Sequence, residues 1–224
     1  MSKFHSRRSI LFNSSLFLGA LPLLMAARAA DQAKAPSKSI LFFGDSLTAG
    51  YGLDEPAAES YPAVIGTKLK TEAPEWKIVN AGLSGETTAA GLRRIDWILR
   101  QPVNIFVLAL GANDGLRGIG AAVTRANLEA IIKKVRTRNP NAKVVLAGMK
   151  MPISMGGYAR DFSAVFSALA EADKSLVHLP FLLEGVGGMA ALNQNDAIHP
   201  NAEGHRKIAD HVWKTLEPLI KQAG

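Results

Sequence analysis

A serine follows an apolar run near the start of the chain, at a place where chemistry is expected. Residues 40–43 are all apolar, and Gly44, Asp45 and Ser46 come directly after them. A continuous apolar run that ends at a turn signal is typical of a strand buried on both faces, as in parallel sheets. The active sites of open α/β sheets lie beyond the carboxyl ends of such strands. Ser46 is therefore a candidate nucleophile, although an Asp-Ser pair at a strand end also commonly caps a helix.

A serine hydroxyl is a weak nucleophile unless a base takes its proton, and His199 is the candidate base among the five histidines. It lies in the loop before the last predicted helix, and Asp196 stands three residues before it. At that spacing the carboxylate can accept a hydrogen bond from one ring nitrogen and leave the other to act as the base. The alternative is a helix-capping aspartate beside a surface histidine. His205 and His211 fall within that helix, where we expect them to be exposed.

Attack on an acyl carbon also needs hydrogen-bond donors for the charge that develops on the carbonyl oxygen, each worth roughly 10²–10³ in rate. Gly85 has no side chain, so its backbone N–H can approach a substrate, and Asn113 carries a side-chain amide that donates. Both follow predicted strands and are expected at the same sheet edge as Ser46. Glycine and asparagine are also common in ordinary turns. The convergence of these residue types at one edge is what favours nucleophilic acyl transfer.

Strand and helix patterns alternate along the chain from residue 39 onward. Short apolar runs predict five strands, and amphipathic segments between them predict helices; the strands are 39–43, 77–81, 103–110, 143–148 and 175–179. This order predicts a parallel five-stranded sheet with helices on both faces, a three-layer α/β/α sandwich of the flavodoxin-like type. With 224 residues and 48% hydrophobic composition, a single domain over 39–224 accounts for the pattern.

The first thirty residues are predicted to be an export signal. Arg7 and Arg8 precede an apolar segment, and the mostly alanine stretch 26–30 ends it, which is the layout of a cleaved secretory signal. The arginine pair resembles a twin-arginine signal. Sec export and an uncleaved anchor are the alternatives, but polar residues leave the apolar segment short for a bilayer span. We therefore expect a signal peptide over 1–30, a flexible lead over 31–38 and a periplasmic or secreted protein.

Composition excludes several classes of function. The net charge of +7 falls to +3 without the predicted signal, and no basic-aromatic cluster indicates nucleic-acid binding. The chain has no cysteine, which excludes a thiol nucleophile and a cysteine-ligated metal. Asp196, His199 and His205 do not complete a metal-ligand set, and the stretch 185–190 fits a dinucleotide fingerprint without the βαβ unit that it requires. We expect no metal, no cofactor and no nucleic-acid partner.

Four blocks of the sequence, in this order, resemble the SGNH (GDSL) hydrolase family. They are Gly-Asp-Ser-Leu at 44–47, Gly-Leu-Ser-Gly-Glu-Thr at 82–87, Gly-Ala-Asn-Asp at 111–114 and Asp-Ala-Ile-His-Pro at 196–200. The resemblance spans about 39–219 and is closest to the bacterial thioesterase/arylesterase/lysophospholipase branch. Where relatives often have aspartate after the second-block glycine, this chain has Glu86.

The resemblance implies a role for each matching residue. Ser46 would be the nucleophile, with Asp196 and His199 as its triad partners. The backbone N–H of Ser46, together with Gly85 and Asn113, would form the oxyanion hole. Ser84 lies in a stretch that only approaches the Gly-x-Ser-x-Gly elbow, so it is a poor second candidate for the nucleophile.

The resemblance also implies a serine esterase acting on short or medium acyl esters, which include aryl esters, thioesters and lysophospholipids. Apolar loop residues next to the site are candidates for binding the acyl chain: Leu116, Ile119, Met151, Ile153 and Met155. We expect a monomer that meets a membrane only through a lipid substrate. The alternatives are a carbohydrate O-acetyl esterase and an exported, non-catalytic binding module on the same fold.

Overall fold

A five-stranded parallel sheet forms the centre of the domain. The computed structural model describes residues 38–223; the predicted signal peptide and the predicted lead as far as residue 37 lie outside the described residues. The strands are β1 (Lys38–Gly44), β2 (Trp76–Asn80), β3 (Ile105–Ala109), β4 (Lys143–Ala147) and β5 (Val177–Leu179). They pair in the order β2-β1-β3-β4-β5, and every pair is parallel.

Helices connect the strands. They are α1 (Ser46–Ala49), α2 (Pro56–Glu59), α3 (Tyr61–Glu72), α4 (Thr88–Ile98), α5 (Ala112–Leu116), α6 (Ala121–Arg138), α7 (Gly157–Ala172) and α8 (Ala202–Gln222), with 3₁₀ turns at Ile153–Met155 and Ala190–Leu192. Helix α3 packs against α8, while α4, α6 and α7 pack in series. The predicted three-layer α/β/α fold is confirmed. Within residues 38–223, no helix combines the length and the apolar character needed to cross a membrane.

Strands β1 and β3 are neighbouring inner strands of the sheet and are the most deeply buried. Every residue of β3 is buried, as is every residue of β1 after Lys38. Continuous apolar runs produce such strands because helices cover both faces of the sheet. Burying one large apolar side chain, such as Phe42 or Phe106, stabilises the fold by roughly 1.5–3 kcal/mol. The segments that follow β1 and β3 therefore begin at the most deeply buried part of the sheet.

The observed boundaries differ from the predicted ones at the strand ends. The third predicted strand, 103–110, is paired only over 105–109, although Val103 and Leu110 are buried beside it. An apolar pattern indicates which residues are buried, but not which ones form hydrogen bonds to a neighbouring strand. The prediction therefore included buried residues outside the paired strand. Lys38, the last residue of the predicted lead, is the first residue of β1 and pairs with Trp76.

Candidate active site

Ser46 is the first residue of α1, directly beyond the end of β1. Asp45 caps this short helix by accepting a hydrogen bond from the Leu47 N–H at 3.0 Å. Position 44 has no room for a side chain, because a Cβ there would lie 2.1 Å from Thr48 Oγ1. Ser46 itself is 9% exposed. The serine is thus fixed between a buried strand and a single helical turn, at the carboxyl edge of the sheet.

The Asp45 carboxyl next to this serine is fully buried. Its Oδ2 has no hydrogen-bond partner among residues 38–223. Burial raises the pKa of Asp45 to about 7; the hydrogen bond from Leu47 opposes this shift, and the charges of Glu86 and Asp114 reinforce it. Below that pH the carboxyl is neutral, so it adds no negative charge beside the hydroxyl that must attack a substrate.

We expect Asp45→Asn to change how stability depends on pH. A carboxyl whose pKa rises from 3.8 to about 7 on folding binds its proton more tightly in the folded chain. Its stabilising contribution is therefore complete below the lower value and is lost as pH rises through the higher one. Asparagine can still accept from Leu47 but does not titrate. The free energy of unfolding of Asp45→Asn should increase relative to the parent as pH rises from about 5 to 8.

Urea unfolding at several pH values measures this difference. Burial lowers the pKa of His205 to about 4, so this residue also makes stability depend on pH. Its contribution is the same in parent and variant and cancels when the two free energies of unfolding are subtracted. The His205 shift changes stability in the opposite direction. When folding lowers the pKa of a histidine, the folded protein becomes more stable as pH rises toward the pKa of that histidine in the unfolded chain. A difference between parent and variant that stays constant with pH would contradict the account of Asp45.

The loop before α8 places an imidazole and a carboxylate against Ser46. His199 Nε2 lies 2.9 Å from Ser46 Oγ, and His199 Nδ1 lies 2.6 Å from Asp196 Oδ2. Asp196 Oδ1 accepts from the backbone N–H groups of Ile198 and His199 at 2.9 and 3.0 Å. The hydrogen bonds from His199, and then from Ile198, lower the pKa of Asp196 to about 2. An ionised carboxylate favours a proton on Nδ1, which leaves Nε2 as the acceptor facing Ser46.

The backbone of this loop is tightly turned. Gln194 donates its N–H to the His199 carbonyl at 2.8 Å, and the Gln194 carbonyl accepts from the Ala197 N–H at 2.9 Å. Ala197 has φ of 58°, the only positive φ at a non-glycine position within residues 38–223. A non-glycine residue in this region costs about 1–3 kcal/mol, a strain that proteins tend to keep at functional sites. The turn holds Asp196 and His199 three residues apart with their side chains in contact.

Gly85 and Asn113 follow β2 and β3, the two neighbours of β1 in the sheet. Gly85 has φ of +78°, a conformation that favours glycine, and a Cβ there would meet only Arg117 Nη2, at 3.7 Å. Glycine is needed here for its backbone conformation and not for space. Asn113 is the second residue of α5. The structure therefore brings both candidate donors to the edge of the sheet that holds Ser46.

Two contacts tie the Gly85 loop to α5. Arg117 Nη2 donates to the Gly85 carbonyl at 3.0 Å. The buried carboxylate of Asp114 accepts from Thr88 twice, from its N–H at 2.8 Å and from its hydroxyl at 2.5 Å. The segments that carry the two candidate donors are thus connected to each other as well as to the sheet.

A family model matches the chain over the whole of this site. The model of the GDSL-like lipase/acylhydrolase family covers residues 42–207, which include the serine, both candidate donors and the Asp-His loop. The chain belongs to this family.

Named relatives of this GDSL hydrolase cover nearly its full length. Esterase TesA of Pseudomonas aeruginosa is 36% identical over 207 residues, which are 92% of this chain and 98% of the relative. The thioesterase 1/protease 1/lysophospholipase L1 of Escherichia coli is 37% identical over 91% of this chain and 92% of its own. A crystal structure of TesA, 38% identical, superposes with a TM-score of 0.76 over 81% of this chain and 99% of that one. The predicted SGNH family and the predicted class of carboxylic ester hydrolase are confirmed.

Glu86, the residue after Gly85 in this GDSL hydrolase, is a buried anchor. Its carboxylate is bound by both Nε and Nη2 of Arg94, the first at 2.5 Å. Arg94 Nη2 also donates to the Ala81 carbonyl at 2.7 Å. The guanidinium carbon lies 4.3 Å from the centroid of the Phe43 ring in β1. The residue after Gly85 therefore fixes the loop to the core of the sheet.

The candidate acyl-binding residues follow β3 and β4, and their exposure varies widely. They were expected in loops, but Leu116 ends α5, and Ile153 and Met155 belong to a 3₁₀ turn. Ile153 is 96% exposed and Leu116 is 46% exposed. Ile119 and Met155 are half-buried. Met151 is buried beneath Gly115, where an added Cβ would lie 2.2 Å from the methionine sulfur. Their acyl-binding role stays a prediction, and Leu116 and Ile153 are too exposed to be the wall of a closed pocket.

Sequence reasoning missed two residues beside the site. His205 was expected to be exposed, but this expectation was wrong: it is 1% exposed, and its Nδ1 accepts from the Tyr61 N–H at 3.2 Å. The ring of Tyr51 lies 4.7 Å from that of His199, centroid to centroid. Only the position of Tyr51 soon after Ser46 could have indicated it. Within residues 38–223, no cluster of histidine, aspartate or glutamate side chains has an arrangement that could hold a metal ion.

Proposed function

We propose that this protein is a serine esterase in which Ser46, His199 and Asp196 are the catalytic triad. The observation that carries the proposal is the continuous chain of hydrogen bonds, from Ser46 Oγ to Nε2 at 2.9 Å and from Nδ1 to the Asp196 carboxylate at 2.6 Å. A base in hydrogen-bond contact with the nucleophile, oriented by a third group, is the arrangement that activates a serine.

The reaction follows from these contacts. Nε2 of His199 takes the Ser46 proton while Oγ forms a bond to the acyl carbon of the ester. The Ser46 N–H, the Gly85 N–H and the Asn113 amide donate to the oxyanion, each contributing roughly 10²–10³ in rate. The bond to the leaving oxygen or sulfur then breaks, and His199 gives it the proton. Water hydrolyses the acyl-enzyme by the same steps.

The substrate class that we propose is short and medium acyl esters, with thioesters and lysophospholipids included. The apolar side chains of Leu116 and Ile153 are exposed on the segments that follow β3 and β4, and Met151 is buried against Gly115. An open apolar surface accepts chains of several lengths, since methionine adapts its shape to its neighbours. The names of the relatives, esterase and thioesterase/lysophospholipase, belong to the same class of reaction.

A panel of substrates tests this proposal. We expect the highest kcat/KM with p-nitrophenyl esters of short to medium chains, and measurable turnover of an acyl-CoA or of lysophosphatidylcholine. Activity confined to acetylated carbohydrates would instead support an O-acetyl esterase. No turnover of any ester, together with no reaction of Ser46 with a fluorophosphonate, would support a non-catalytic binding module.

We also propose that residues 1–30 direct export and are removed, so that a monomeric enzyme works in the periplasm or outside the cell. The layout of the basic, apolar and alanine-rich stretches supports this assignment. Sequencing the amino terminus of the enzyme recovered from the periplasm tests it. A mature chain that begins near Asp31 is expected, and a chain retained in the cytoplasm with its first thirty residues would contradict it.

A further inference from the structure

Tyr51 lies beside the proposed base, although the reaction described above gives it no part. Its ring centroid is 4.7 Å from that of His199, and the two planes are inclined by 48°. Tyr51 is also 53% exposed, whereas His199 is half-buried. Its own N–H donates to the Ser46 carbonyl at 3.1 Å. The ring is therefore anchored at the site through its backbone while much of its surface is open.

Gln194 holds Tyr51 and the His199 loop together. Its side-chain Nε2 donates to the Tyr51 carbonyl at 2.7 Å and to the Pro200 carbonyl at 3.0 Å. The approach is close, because a Cβ on Gly52 would lie 2.0 Å from Gln194 Oε1. The backbone N–H of Gln194 bonds to the His199 carbonyl. The position of Tyr51 relative to the imidazole is thus set by several contacts that do not involve the tyrosine ring itself.

The imidazole determines where the leaving group departs. The proton that Nε2 takes from Ser46 passes to the leaving oxygen or sulfur, so that atom must come within hydrogen-bond reach of Nε2. A group attached to the leaving atom then extends past the imidazole, where the ring of Tyr51 stands. Aromatic rings attract one another at centroid distances of about 4.5–7 Å. A small alkyl alcohol offers no such contact.

We propose that Tyr51 forms a leaving-group subsite that favours esters of aromatic alcohols over esters of small alkyl alcohols. The inference rests on the proposed function, because the subsite has a place only if His199 protonates the leaving group. The subsite acts during acylation alone: the Ser46 Oγ bond to the acyl carbon forms, the bond to the aryl oxygen breaks, and the aryl alcohol departs with the proton. It has no occupant when water attacks the acyl-enzyme.

Two butyrate esters that produce the same acyl-enzyme test the subsite. Tyr51→Ala should lower kcat/KM for phenyl butyrate roughly three- to tenfold, the range of an aromatic contact, and change ethyl butyrate by less than about twofold. Tyr51→Phe keeps the ring and should retain the parent preference. In a burst experiment with p-nitrophenyl butyrate, Tyr51→Ala should slow the burst and leave the later hydrolysis of the butyryl-enzyme unchanged.

A control variant and three possible results decide whether Tyr51 forms the subsite. Trp97→Ala removes another exposed aromatic side chain, 64% exposed at the far end of α4 from the site, and should leave the preference unchanged. Equal losses for the two esters, or equal slowing of butyryl-enzyme hydrolysis, would overturn the subsite and make Tyr51 a residue that orients His199. An unchanged preference in Tyr51→Ala, with an unchanged melting temperature, would also overturn it. Retained turnover in Ser46→Ala would instead place the failure in the proposed function.

Discussion

Ser46→Ala is expected to lose nearly all esterase turnover and to keep its fold. Without Oγ, no acyl-enzyme forms, and kcat should fall by about 10⁴- to 10⁶-fold, the range for removal of a triad nucleophile. The substitution removes one hydroxyl from a residue at the start of α1 and leaves the Asp45 cap in place. Hydrolysis of p-nitrophenyl butyrate and thermal unfolding measure the two effects. A loss smaller than about a hundredfold would place the nucleophile elsewhere.

Ser84→Ala is the matched control for this loss. Ser84 is an exposed serine in the loop after β2, and it is the only other serine that approached a nucleophile motif in the sequence. The variant should keep most of the parent turnover. Loss of turnover in Ser84→Ala together with retention in Ser46→Ala would reverse the assignment of the nucleophile.

Asp196→Asn should lower kcat by about 10⁴-fold, because it reverses the tautomer of the imidazole. The carboxylate accepts from Nδ1 at 2.6 Å, whereas an amide nitrogen placed there would donate to Nδ1 and leave the proton on Nε2. Nε2 could then no longer take the Ser46 proton. The remaining oxygen of the amide can still accept from the backbone of Ile198 and His199, so the loop should stay folded. A loss below about tenfold would show that the carboxylate does not control the base.

The low pKa of Asp196 determines the pH range in which this carboxylate can orient the imidazole. Because its pKa is about 2, Asp196 remains ionised at every pH above about 3. The loss of kcat in Asp196→Asn should therefore persist over the whole pH range of the assay. A loss confined to alkaline pH would contradict this assignment of Asp196.

The parts of the site that sequence could predict are those fixed by local patterns. The apolar run of β1 leads directly into Gly44-Asp45-Ser46. A strand buried on both faces appears as a continuous apolar run, so it can be predicted without knowing which strands pair with it. Asp196 and His199 are three residues apart, so a single tight turn brings their side chains together. These features depend on short stretches of chain, and their types and spacing carry the information.

The parts that sequence could not predict depend on contacts between distant segments. His205 is buried because α3 covers it and Tyr61 donates to its ring, an interaction that no pattern within α8 reveals. Tyr51 contacts His199 across two loops that are far apart in sequence and that Gln194 joins by hydrogen bonds. The short helices α1, α2 and α5 span four or five residues, which is too few to show a helical period.

Covalent labelling by a fluorophosphonate probe, followed by peptide mass spectrometry, tests most directly whether Ser46 is a nucleophile activated by His199. Phosphonylation should occur at one residue, Ser46, and should be absent in Ser46→Ala and much slower in a folded His199→Ala variant. An adduct on any other residue, or labelling of Ser46 at the same rate without the imidazole, would contradict the account.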